Sequence, residues 1–348
     1  MTISRSLKLL TPTLLVASLG IAACTDASIT AEDELDQDQH SVQPELAWQR
    51  AGGCAISIGV SPDDTIWVVG CENTADSNIW YMQIEDVPGE LVTTEVWTMT
   101  NGRARRVVVD NGGEPQGITS SGAVLFNRVT TTNVQGQAVF RPGMDWKTVD
   151  PQIPRFPCVM DLGVIHRENY LLFRTANRDE RDHQYYSLRC PTSRGNGIFM
   201  HIQDDLTSEW TPTSQLAKSL AFFAPAALSD QSAGKTPWIL DSDGRMWSND
   251  TGGNTFTTKP TTPSLAYGLT DHYALANDGV YEWSDAGQSW AWVVENTTPT
   301  GTITQIARSG AVRIETPGGA STTVGPSHLW AIDDSGAIYW ASSSAVIR

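Results

Sequence analysis

Residues 238–256 read WILDSDGRMWSNDTGGNTF. Asp241-x-Asp243-Gly244 has the spacing that opens a calcium loop. Position 252 is Gly, however, and no nearby Glu could supply a bidentate contact, so no metal site is expected. The same residues suit a tight turn. Asp bonds backbone amides two residues on, and Gly tolerates positive φ. Apolar strands flank the turn on both sides.

That turn-and-strand unit recurs outward from here. PDDTIWVV (62–69), SSGAVLF (120–126), RENYLLF (167–173), ANDGVYEW (276–283) and DSGAIYW (334–340) all place a polar turn before an apolar strand. A second marker alternates with it, an aromatic followed by polar or β-branched residues. It falls at Trp48, Trp97, Trp146, Trp210, Phe256 and Trp290. The markers make six pairs, about 50 residues per unit, inside the usual range for a propeller blade. No long stretch has apolar residues at helical spacing. The expected fold is all-β, a six-bladed β-propeller of four-stranded antiparallel blades, with seven blades as the alternative. A four-stranded blade cannot bury both faces alone, whereas a closed ring can. The last strand, AIYWAS (337–342), is placed to complete a blade begun near Trp48.

Segment 47–128 resembles two tectonin-type β-propeller repeats: Trp, a Gly-x-Ala-x-x-Ile strand, a turn, then an aromatic-rich strand. Lys235-Thr236-Pro237-Trp238 matches that family's approach to the next turn, and Glu114-Pro115-Gln116 departs from it. GRMWSNDTGGNTF and GVYEWSDAGQSW, within 243–294, resemble Asp-box (BNR) propellers. One has an extra residue between Gly252 and Thr255, and the other has Trp283 in place of Ser. Blades around 146–235 match neither pattern. The resemblance to Asp-box proteins implies turn-stabilising boxes away from any active site. Sialidase-like catalysis would further need an arginine triad and a Tyr–Glu pair. Arg141, Arg174, Arg189 and Arg245 sit in no such motif. The tectonin resemblance implies a glycan ligand.

The N-terminus reads as a targeting segment. Arg5 and Lys8 precede an apolar run from Leu9 to Ala23, too short to span a bilayer comfortably. Ile21-Ala22-Ala23-Cys24 resembles a bacterial lipobox, which implies a signal peptide at 1–23 and lipidation of Cys24. The alternative is an ordinary secretory signal cut near Ala23. One lipid would tether the chain to the membrane without spanning it. Thr25, where an inner-membrane lipoprotein often has Asp, favours the outer membrane, at its periplasmic face or the cell surface. Residues 24–46 are acidic, without Lys, Arg or aromatics, and read as a disordered tether. The propeller is expected over 47–342, with a tail at 343–348.

An exported chain with four further cysteines is expected to form two disulfides. A hairpin around Ser61-Pro62-Asp63-Asp64 puts Cys54 opposite Cys71, with Cβ atoms about 4.5–5.5 Å apart. Cys158 and Cys190 pair by elimination.

The net charge of −16 repels phosphate backbones, so no nucleic-acid partner is expected. The six His form no HExxH, no G-x-S-x-G elbow is present, and Ser229 replaces the first Gly of a phosphate loop before Gly234-Lys235-Thr236. No cofactor, metal or catalytic residue is expected. Most of the 13 Trp recur at blade positions and read as core. Trp80, Tyr81 and Trp292 lie outside those positions. Tyr185 and Tyr186 follow a charged loop, 177–183, that Cys190 closes. These five are the expected ligand-binding aromatics, since sugar rings stack on aromatic faces. The function expected is a non-catalytic binding module, lectin-like, for glycan or lipopolysaccharide. The alternative is a protein–protein scaffold in the cell envelope.

Overall fold

The structure is a computed structural model that describes residues 48–83, 96–109, 113–134, 137–148, 159–166, 183–189, 197–201, 211–223, 236–249, 255–308, 312–315, 321–324 and 328–342. The chain divides into Met1–Gln43 and Pro44–Arg348, and every described residue belongs to the second unit. Cys24, Cys158, Cys190 and Asp250, the turn proposed at 167–173, and the tail at 343–348 lie outside the described residues.

The fold is an all-β propeller of four-stranded antiparallel sheets. The first blade holds β1 (Gln49–Val60), β2 (Ile66–Gly70), β3 (Ser77–Met82) and β4 (Thr98–Ala104). The second holds β5 (Arg106–Val109), β6 (Pro115–Ile118), β7 (Val124–Val134) and β8 (Gln137–Thr148). The third holds β9 (Val159–His166), β10 (His183–Arg189), β11 (Gly197–His201) and β12 (Thr211–Ala217). The fourth holds β13 (Ser219–Phe223), β14 (Thr236–Leu240), β15 (Met246–Ser248) and β16 (Thr257–Lys259). The fifth holds β17 (Ala266–Thr270), β18 (Tyr273–Ala276), β19 (Gly279–Ser284) and β20 (Ser289–Val294).

The last blade is built differently. After the short β21 (Thr297–Thr298) come β22 (Gly301–Ala307), the separate hairpin β23 (Val312–Glu315) and β24 (Ser321–Val324), then β25 (His328–Asp333) and β26 (Ala337–Ser342). Its fourth strand is the first half of β1: Gln49 pairs with Trp340 and Ala51 with Ile338, while the second half of β1 pairs with β2. Strands from the two ends of the domain thus share one sheet. The first strands of the blades lie alongside one another in turn: β1 by β5, β5 by β9, β9 by β13, β13 by β17, β17 by β22, and β22 by β1.

Side-chain bonds stitch neighbouring first strands. Ser57 Oγ accepts from Val107 N at 3.1 Å, and Ser219 Oγ accepts from Leu269 N at 3.2 Å, each bridging 50 residues. Gln305 Nε2 donates to Ile58 O at 3.2 Å. The second strands carry the core. β2 and β25 are buried along their whole length, with Trp67 and Trp330 fully enclosed.

The aromatic marker has one structural role at the rim. Among the described residues, each marker tryptophan opens or lies on a fourth strand and donates its indole N–H to the blade before. Trp48 reaches Glu295 O at 3.0 Å and Trp97 reaches Gly52 O at 2.8 Å. Trp146 reaches Thr100 Oγ1 at 2.8 Å, and Trp290 reaches Pro260 O at 2.8 Å. The Trp146 ring needs a bare backbone beneath it. A Cβ on Gly102 would lie 2.4 Å from Trp146 Cδ1, closer than any carbon can approach.

The turn marker proves to be more than one structure, since the turn at Asn277-Asp278 is a two-residue hairpin between second and third strands. Turns after Thr119, Asp241 and Asp333 join second to third strands, each with a left-handed glycine at its fourth residue: Gly122, Gly244 and Gly336. The PDD turn has the same backbone pattern, with Asp64 at φ 58°, but joins the first strand to the second. The stretch 238–256 also needs correction. Its aromatic marker, Phe256, does not open a new blade: β15 pairs with β16, and residues 249–256 connect them within the fourth blade.

Candidate functional site

In a four-stranded antiparallel blade, connections between strands one–two and three–four lie at one end. Connections between strands two–three and between blades lie at the other. The propeller therefore has two faces of different chemistry.

On the second face, Asp241 and Asp333 are consumed by turns. Asp241 Oδ1 accepts from Asp243 N at 2.9 Å and Arg245 N at 2.8 Å, and Oδ2 accepts from Trp247 Nε1 at 3.2 Å. Asp333 Oδ1 accepts from Ser335 N at 3.0 Å and Ala337 N at 2.9 Å. Partial burial opposes its charge, but the hydroxyls of Ser335, Thr300 and Thr298 hold its carboxyl below the usual range. These residues fix backbone.

The first face gathers ionisable groups across blades five, six and one. The two-residue turn Asp271-His272 joins β17 to β18, with His272 at φ 59°. His272 Nδ1 lies 2.7 Å from Asp271 Oδ1, and Nε2 lies 3.7 Å from Asp285 Oδ2. Burial disfavours its charge, yet Asp271 and Asp285 overcome that and raise it to about 9. The two carboxylates thus favour its imidazolium form. The Phe223 ring stacks on it at 5.1 Å, in a cluster with Trp238, Trp283 and Trp290.

Next along this face, Arg308 donates to the Tyr273 hydroxyl, which donates to Glu282 Oε1 at 2.9 Å. Burial pushes the Tyr273 hydroxyl up, so it stays protonated. Thr270 Oγ1 donates to Arg308 O at 3.1 Å and ties blade five to blade six. Between blades six and one, His328 Nδ1 lies 3.2 Å from Asp64 Oδ2, both side chains enclosed. Beside it, burial raises Asp63 to about 6, against the bonds its carboxyl accepts from Thr65. The β23–β24 hairpin leaves the same face, between Arg308 and His328. Among the described residues, no group of three His, Cys, Asp or Glu could hold a metal ion.

The aromatics expected to bind ligand are not brought together. Trp80 and Tyr81 lie on β3 of blade one, both half-buried. Trp80 packs on the core shared with Trp330 and Trp340, and Tyr81 lies 5.2 Å from the Trp67 ring. They lie on a third strand, as Trp247, Trp283 and Trp340 do in other blades. Tyr185 and Tyr186 lie on β10 of blade three, and their side chains fall outside the described residues. Trp292, on β20 of blade five, is 44 % exposed, its indole seated on Gly279. Cys54 and Cys71 are joined in a disulfide, Cα atoms 5.6 Å apart.

No protein-family model and no curated protein matches the chain. Solved structures similar to it are β-propellers. YCF48 bound to D1 peptide aligns over 88% of this chain and 98% of its own, at 11% identity and TM-score 0.41. Sqt1 of Saccharomyces cerevisiae aligns over 86% and 98%, at 10% and 0.40. A mutant Aleuria aurantia lectin in complex with alpha-methyl-L-fucoside aligns over 84% and 95%, at 10% and 0.42. Likenesses this distant add nothing to the sheet topology above.

Sequence reasoning missed His272, Arg308 and His328. Asp64 and His328 stand 264 residues apart, and no local spacing joins them. The Asp271-His272 pair between two short strands was the one local signal.

Proposed function

We propose that this propeller, closed by six blades, is a non-catalytic binding module that takes a hydroxyl-rich ligand, a glycan, on the face described for blades five, six and one. One observation carries this reading. Arg308, His272, Asp285 and Glu282 are partly exposed and held in fixed geometry, Arg308 and Glu282 by the Tyr273 hydroxyl, and His272 with Asp285 beside Phe223, whose ring meets half-buried Trp290. Preorganised donors and acceptors beside aromatic rings suit sugar hydroxyls and sugar faces. Fold alone does not choose among propeller functions. The test is binding to a glycan array and to isolated lipopolysaccharide, with wild type against Arg308→Ala. Arg308→Ala should weaken binding about tenfold or more. A clean blank across both panels sinks the reading.

A protein partner is the second reading, favoured by β23 and β24. They form a two-stranded sheet that pairs with no other described strand. Such hairpins are marginal alone and offer edges to an extended peptide. Stoichiometric recovery of an envelope protein without glycan binding would select it. We place the chain outside the cytoplasm, held by lipid at Cys24. The Cys54–Cys71 disulfide supports an oxidising compartment. Palmitate labelling that persists in Cys24→Ser would overturn the anchor.

A further inference from the structure

We propose that the Cys54–Cys71 disulfide is a reducible clasp on the closure of the ring. β1 changes blades at Cys54. Up to that residue it is the fourth strand of the last blade, ending with Cys54 opposite Ala337. From Ala55 it is the first strand of the first blade. Ala55 N donates to Gly336 O at 2.8 Å, so the crossing sits on the turn between β25 and β26. Gly336, at φ +82°, has no room for a side chain, because a Cβ there would lie 2.8 Å from Cys54 Sγ. The sulfur is seated against bare backbone at the seam.

The disulfide ties this crossing to Cys71, the residue after β2, inside blade one. Both cysteines are exposed, so a reductant can reach the bond. Without the bond, residues 48–54 are held to the last blade by a short ladder, and to its neighbours by two indole latches, Trp48 to Glu295 after blade five and Trp97 of blade one to Gly52. Other blades take their fourth strand from the same hairpin as their third. This blade takes it from nearly 300 residues away in sequence, so its closure carries the largest loop entropy. A dithiol reductant attacks one sulfur, forms a mixed disulfide, and leaves as its own disulfide. Two thiols remain at Cys54 and Cys71, and the dithiol's two electrons and two protons balance the step. The seam then opens locally, uncovering the edge of β26, an apolar strand able to pair elsewhere.

The test is amide hydrogen exchange on the folded full chain, before and after a dithiol, and on Cys54→Ser/Cys71→Ser without reductant. The double variant separates this bond from any other disulfide. Exchange at 49–54 and 337–341 should accelerate about tenfold or more in both, with 238–240 and 273–276 unchanged. Unchanged seam exchange, or a uniform rise across all blades, overturns the proposal. If the double variant does not fold, reduction of the folded wild type decides alone by the same criterion.

Discussion

Asp241 and Asp333 hold their turns by the same two contacts, accepting from the amides two and four residues on. Thr119 makes the second of these with Ala123 N at 2.9 Å. This role was legible in the sequence. A carboxylate or hydroxyl three residues before glycine has few reasons to exist apart from a turn. Asp241→Ala should therefore cost about 1–3 kcal/mol, because two amides and the Trp247 indole lose their acceptor. Urea denaturation measures it. Glycan affinity of the folded fraction should stay unchanged, since Asp241 is on the opposite face from Arg308. A drop in affinity at full folding would place the ligand on the wrong face here. What the sequence concealed at this scale is Asp64. Its left-handed backbone is held where the other turns use glycine, and its partner, His328, lies near the far end of the chain.

At the scale of elements, hairpin register was only partly readable. A simple hairpin about Ser61–Asp64 places Cys54 against Cys71, and the disulfide is there. The path differs, however. Val60 pairs with Ile66 and Ile58 with Val68, and only a bulge at Ile56 shifts the register so that Ala55 meets Gly70. Bulges follow from how a strand must bend between neighbours, which composition does not encode. The PDD turn joins the two strands the sequence puts beside it, but turn residues do not say which pair within a blade they join, since first and second strands are both apolar. The seam between blades four and five carries a pH dependence. His272, stacked on Phe223 and flanked by Asp271 and Asp285, has its folded value raised from 6.5 to about 9. A raised imidazole adds stability that is fully present below about 6.5 and is lost as pH rises through about 9. Thermal midpoints should fall between pH 7 and pH 10 in wild type, and His272→Gln should flatten that slope. Equal slopes in the two proteins would show that the imidazolium contributes nothing to the seam.

For the whole molecule, the sequence announced the repeat and hid how it closes. Trp48, Trp97 and Trp146 follow at equal intervals because each must reach the fourth strand of the blade before it. That geometric demand writes itself into the chain as periodicity. Charged groups on the candidate face answer no such demand. They differ from blade to blade, so no repeat exposes them. Closure depends on β1 serving two blades at once. A chain beginning at Ala55 would keep every strand of the first blade, since the second half of β1 still pairs with β2. It would lose the fourth strand of the last blade and the Cys54 sulfur, and would bare the ladder of β26 beside Trp330 and Trp340. Sheets in a closed ring support one another on both faces, so loss at one seam should spread beyond it. Calorimetry should show a broadened transition with its midpoint lowered by about 10 °C or more, and light scattering should show self-association through the uncovered edge. A sharp, unshifted transition would mean that the remaining blades hold the ring without its clasped strand.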